Sequence, residues 1–114
     1  HVAEGISLAD GQPIAAFRSV FPAERVPELL SQVQETGSIT QSLAASGLPD
    51  YIRAETRLTA QLADPVLAVA LAVRSGAPVM RTVAVNVGPD GLPVELGTTW
   101  FAGERVTLTV ADQP

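Results

Sequence analysis

The chain has 114 residues, enough for one domain with a single core, and its 46% hydrophobic content comes mostly from Ala, Val and Leu. All seven basic residues are Arg, against twelve acids, and a formal charge of -5 argues against this chain gripping a phosphate backbone by itself. Without Cys there is neither a disulfide framework nor a thiolate metal site, which agrees with a cytoplasmic protein, and the longest apolar run, Val66 to Val73, falls far short of the roughly 18 residues of a membrane helix.

In chain order, Ala9-Asp10-Gly11 is a turn leading into a strand over Gln12 to Phe21, because Asp-Gly is a strong hairpin signal. Val26, Leu29, Leu30 and Val33 recur at helical spacing, predicting a helix over Val26 to Val33. Ser38 with Gln41 three places on is a capping-box pattern, and Gly47 is a natural stop, so Ile39 to Ser46 is expected as a short helix. Tyr51 to Leu62 alternates, with Tyr51, Arg53, Glu55, Arg57, Thr59 and Gln61 on one face, and predicts a half-buried strand. Asp64-Pro65 sets a capping acid before a first-turn Pro, and Val66 to Arg74 is apolar enough to be a largely buried helix. Pro78 to Val87, the turn Gly88-Pro89-Asp90-Gly91, Leu92 to Phe101 and Val106 to Val110 complete a sheet of hairpins. Helices grouped on an antiparallel sheet make an α+β fold.

Two stretches eighty positions apart repeat one another: Asp10-Gly11-Gln12-Pro13-Ile14 through Phe21 to Glu24-Arg25-Val26, and Asp90-Gly91-Leu92-Pro93-Val94 through Phe101 to Glu104-Arg105-Val106. So long a period is not that of a solenoid array, and two copies imply a pseudo-two-fold domain with a cleft between its halves. His1 matches Arg81 and is expected inside a strand. The stretch from Tyr51 to Gly76 has no counterpart before the first copy, so the chain is expected to be truncated, its parent continuing upstream.

The chemistry legible in the residues is anion binding. A helix starting at Ser38 offers unpaired N–H groups, and Arg53 and Arg57 share a strand face in the alternating pattern, where guanidinium forks suit phosphoryl oxygens. Glu55 lies between them, so a charge ladder is the competing structural reading, as plain helix caps are for Ser38 and Thr40. Glu24-Arg25 and Glu104-Arg105 occur in both copies, which favours a repeated structural role. Glu95 faces Ala15 in the other copy, so the shared framework does not require an acid there. Without Cys, an internal His or a Gly-x-Ser-x-Gly elbow, no catalytic residue and no metal site is assigned, and no cofactor is expected.

The hairpin Asp90-Gly91-Leu92-Pro93-Val94-Glu95 followed by Thr98-Thr99-Trp100-Phe101-Ala102-Gly103-Glu104-Arg105 resembles the closing signature of the UTRA effector-binding domain of GntR-type transcriptional regulators of the HutC-like subfamily. Gly37-Ser38-Ile39-Thr40 to Gly47 and Asp50-Tyr51-Ile52-Arg53-Ala54-Glu55-Thr56-Arg57-Leu58-Thr59-Ala60 resemble the PhnF-like branch, regulators of phosphonate or phosphate metabolism. The resemblance implies a chorismate-lyase-like fold and makes residues 1–114 the C-terminal effector-binding domain, the DNA-binding winged helix-turn-helix being absent from this chain. It further implies a small anionic effector, phosphate-bearing or phosphonate-like, and a homodimer that meets DNA only through the absent domain and no membrane. The implied ligand-binding residues are Ser38, Thr40, Tyr51, Arg53, Arg57, Glu95, Thr99 and Phe101, the last standing where sugar-phosphate-sensing relatives commonly carry Tyr. The competing classes are a chorismate-lyase-like enzyme acting on an aromatic carboxylate and a dimerisation module without ligand. For Phe101 the competing structural reading is a core anchor paired with Phe21, and Trp100 and Met80 are expected as core or interface residues.

Overall fold

A computed structural model of the chain describes residues 1–22 and 52–111. The predicted helices over 26–33 and 39–46 lie outside the described residues. Five strands, β1 (Val2–Ala9), β2 (Gln12–Val20), β3 (Ile52–Leu62), β4 (Pro78–Val87) and β5 (Pro93–Ala102), form one sheet in the order β1-β2-β5-β4-β3, every neighbouring pair antiparallel. One helix, α1 (Pro65–Leu71), is present among the described residues. The two hairpins that carry the repeated sequence, β1-β2 and β4-β5, meet along β2 and β5 at the middle of the sheet.

Local chemistry accounts for these elements. Asp10 and Gly11 both have positive φ, 51° and 76°, and join the paired residues Ala9 and Gln12 in a two-residue turn whose twist suits a hairpin. The wider β4-β5 connection closes with Gly91 N–H donating to Gly88 O at 2.9 Å and Gly88 N–H donating to Leu92 O at 3.0 Å. Asp64 caps α1 by accepting from Leu67 N–H at 2.8 Å, and Pro65 occupies the first turn, where a missing N–H costs nothing.

Helix α1 stops three residues before the predicted Arg74. Ala72 turns left-handed (φ 53°), Val73 N–H reaches Ala68 O at 3.0 Å and Ala72 N–H reaches Val69 O at 3.2 Å, a Schellman closure in which glycine is the usual occupant. Replacing Ala72 by Gly is expected to raise stability by about 0.5–1 kcal/mol, the relief at this backbone exceeding the added freedom of the unfolded chain; a denaturant midpoint that rises at constant m-value checks it.

Three expectations are corrected. Helix α1 is not largely buried: Ala68 and Leu71 face the sheet while Val66 and Val69 are more than 80% exposed. Strand β3 is not half-buried, since it is a sheet edge paired only with β4, and all its residues but Gln61 are exposed. The segment 106–110 forms no strand. After β5 the chain turns at Gly103, whose N–H donates to Pro78 O at 3.0 Å, and it leaves the sheet there. The core lies under α1, where Ala16, Ala63, Ala68, Leu71, Val79 and Ala102 pack with half-buried Trp100 alongside. Phe21 and Val94 are buried elsewhere in the domain.

Candidate functional site

Cross-strand register divides the sheet into two faces. Ala16, Trp100 and Val79 stand on the face that α1 covers, and Glu95, Gly97, Thr99 and Phe101 on the opposite one. On that opposite face Ser19, Ala84 and Asn86 are buried.

A bulge in β3 decides which predicted residues share a site. Arg53 pairs with Asn86 and Glu55 with Val85, leaving Ala54 as the extra residue, so the alternation reverses between Arg53 and Glu55. Arg53 is thereby placed on the Glu95 face, while Glu55 and Arg57 fall on the α1 face. The sequence pattern put Arg53 and Arg57 together, and the bulge separates them. Arg57 is instead neutralised by Glu55, its Nε donating to the carboxylate at 3.0 Å with both side chains exposed. The two form an ion pair within β3, not across strands.

Arg53 belongs to a different arrangement. Its Nε donates to Asn86 Oδ1 at 3.4 Å, and Asn86 Nδ2 donates to Glu95 Oε1 at 2.8 Å, making a cation, an amide and a carboxylate one row across β3, β4 and β5. Asn86 is 5% exposed. The next row is floored by small side chains, Ser19, Gly97, Ala84 and Thr56. A Cβ on Gly97 would stand 3.7 Å from both Glu95 Oε2 and Ser19 Oγ, so the second carboxylate oxygen lies over this floor. A cation and a carboxylate beside small side chains are suited to holding a small polar molecule by hydrogen bonds.

Thr99 and Phe101 share the face of Glu95, but strand rise sets them about 13 Å and 20 Å farther along β5. Thr99 stands between Phe17 and Thr82, and Phe101 between Ala15 and Met80. Ser38, Thr40 and Tyr51 lie outside the described residues. Sequence reasoning missed Asn86, although a lone Asn in the apolar run Val83-Ala84-Val85-Asn86-Val87 is the kind of buried polar residue that needs partners. It also passed over Gly97, a glycine inside a strand, which commonly marks close approach or room for a ligand.

Two grooves lie elsewhere. One of about 510 Å³ runs between α1 and the β1-β2 hairpin past Ile6, Leu67 and Trp100, and one of about 530 Å³ lies at the end of the sheet by Ala60, Met80 and Leu108. Both are mainly apolar, although Glu4, Arg18 and Asp64 also line the first, and neither contains the Arg53-Asn86-Glu95 row. The charged row is the better candidate, because Arg53 and Glu95 are each joined to a neutral buried amide, whereas Arg18 and Glu4 in the first groove neutralise one another at 3.2 Å. No cluster of three metal-ligating side chains occurs among the described residues, and no helix among them is long and apolar enough to cross a membrane.

Comparison with known proteins agrees with this architecture. An uncharacterized HTH-type transcriptional regulator of Rhizobium meliloti (strain 1021) is 38% identical over 105 residues, which is 92% of this chain and 43% of the regulator, so the chain spans under half of that relative. A GntR-family transcriptional regulator from Enterococcus faecalis V583 superposes with TM-score 0.78 at 25% identity, over 96% of this chain and 78% of that one. The effector domain of PhnF from Mycobacterium smegmatis superposes with TM-score 0.82 at 19% identity, over 99% of this chain and 69% of that one, a likeness of fold. The family model for the UTRA domain matches residues 2–107, nearly the whole length, and the chain belongs to the UTRA domain family.

Proposed function

We infer that this chain is the ligand-sensing domain of a GntR-type transcriptional regulator and binds a small anionic effector, phosphate-bearing or phosphonate-like, with no catalytic role. The observation that carries the reading is the Arg53-Asn86-Glu95 row, a cation joined to a buried amide beside small residues, in a chain of the UTRA family. Arg53 is the anion-binding group, and Glu95 accepts from hydroxyl or amine groups of the same ligand. Ser38, Thr40 and Tyr51 are proposed as further contacts from the resemblance to the PhnF-like branch, and Thr99 and Phe101 as contacts for the far end of a longer ligand. Arg57 is set aside, because Glu55 already neutralises it on the other face.

The fold is proposed to be chorismate-lyase-like, with the β1-β2 and β4-β5 hairpins as the two halves of a duplication. The remaining partners are a second copy of the chain and, in the cytoplasm, DNA held by a winged helix-turn-helix of the longer protein. A net charge of -5 gives this domain no means of gripping DNA itself. Occupancy changes DNA affinity only insofar as the ligand binds one arrangement of the whole protein better than another. Calorimetric titration with methylphosphonate and with inorganic phosphate tests the reading. Saturable binding of at least one is expected, and dilution heats alone for both would contradict it.

A further inference from the structure

We propose that Asn86 is a positioning residue that holds the Arg53 guanidinium and the Glu95 carboxylate apart, so that the site fits a zwitterionic effector with its anionic group on Arg53 and an ammonium on Glu95. The inference deepens the proposed function and rests on it.

The two ends of the Asn86 amide are chemically distinct, and each is matched. Oδ1 can only accept and takes the Arg53 N–H; Nδ2 can only donate and serves Glu95 Oε1. An amide carries no net charge, so neither end is neutralised. Arg53 spends Nε on Asn86 and keeps its two NH2 groups, while Glu95 spends Oε1 and keeps Oε2 over Gly97 beside Ser19 Oγ. The register places two interstrand spacings, about 10 Å, between the β3 and β5 backbones that bear the two charges. A ligand lying over β4 between them meets a cation at one end and an anion at the other.

The opposite face shows what the same side chains do without a spacer. Arg57 and Glu55 form a direct pair at 3.0 Å, leaving no net charge for a ligand. Burial of Asn86 at 5% exposure fixes its amide where a solvent-exposed one would rotate away.

The test compares 3-aminopropylphosphonate with propylphosphonate, which lacks only the amine, by calorimetry on this chain and on Asn86→Leu and Glu95→Gln. The unsubstituted chain is expected to bind the amino compound about 10- to 100-fold more tightly, the value of one charge-assisted hydrogen bond. Asn86→Leu lets Arg53 and Glu95 pair directly, and the ratio is expected to fall to within about threefold of unity. Should Asn86→Leu not fold, Asn86→Ala carries the test, because it also removes the amide between the two charges and is expected to bring the ratio to within about threefold of unity; Glu95→Gln is expected to lose the preference because the ammonium no longer meets a carboxylate. A merely structural Asn86 would lower both affinities together and leave their ratio intact, which would overturn the proposal. Equal affinity for the two compounds in the unsubstituted chain would overturn it while leaving the anion-binding reading in place. If neither compound binds, the proposed function fails and this inference with it.

Discussion

Arg105→Ala is expected to lower stability by about 2–4 kcal/mol, a drop of about 10–20 °C in Tm for a domain of this size. The Arg105 guanidinium donates to three backbone carbonyls: Nη1 to Pro13 O at 2.9 Å and Leu71 O at 2.6 Å, and Nη2 to Ala72 O at 2.6 Å. Leu71 and Ala72 end α1, where carbonyls lack helical partners and the dipole favours a cation, so one side chain closes the helix and ties it to the start of β2. Truncation strands those acceptors, and Lys restores only part of the loss because it lacks the planar fork. By contrast Arg74→Ala removes only an exposed ion pair with Glu104 at 3.1 Å and is expected to change stability by less than about 1 kcal/mol. Thermal and denaturant unfolding of the two variants checks the difference; equal stability would show that the three carbonyls are satisfied without Arg105.

Arg53→Ala is expected to weaken methylphosphonate binding about 10- to 100-fold, whereas Arg57→Ala changes it less than about twofold. The two arginines are four residues apart and equally plausible from sequence, but the bulge at Ala54 turns them to opposite faces and Glu55 occupies Arg57. Both lie on an exposed edge strand, so neither substitution is expected to move the Tm of the unliganded chain by more than a degree or two. Calorimetry on the pair checks it. Equal losses would mean that the faces are not separated in function, and a loss confined to Arg57 would transfer the anion site to the α1 face.

Much of the sheet was legible in the residues because turn chemistry and alternation are local. Asp10-Gly11 marks a hairpin by the positive φ it permits, and Asp64-Pro65 marks a helix start by the cap it supplies. What depends on neighbours was not legible. The apolar run from Val66 reads as a buried helix, but two of its valines face solvent because the sheet covers only one side. Alternation in β3 reads as one inner and one outer face, but its edge position and its bulge follow from pairing with β4. The repeated Glu-Arg motif was rightly assigned a structural role at Arg105, which caps α1. Of the proposed site, Arg53 and Glu95 were candidates from the sequence, whereas Asn86 joins them only through register across three strands.

The central claim, that a small anion is held on the Glu95 face, is tested most directly by amide chemical-shift mapping during titration with methylphosphonate. Saturable shifts are expected at Arg53, Asn86, Glu95 and Gly97, with Arg57, Ile6 and Leu67 unmoved. Shifts confined to Arg57 or to the groove by Ile6 and Leu67, or none at saturating ligand, would contradict it.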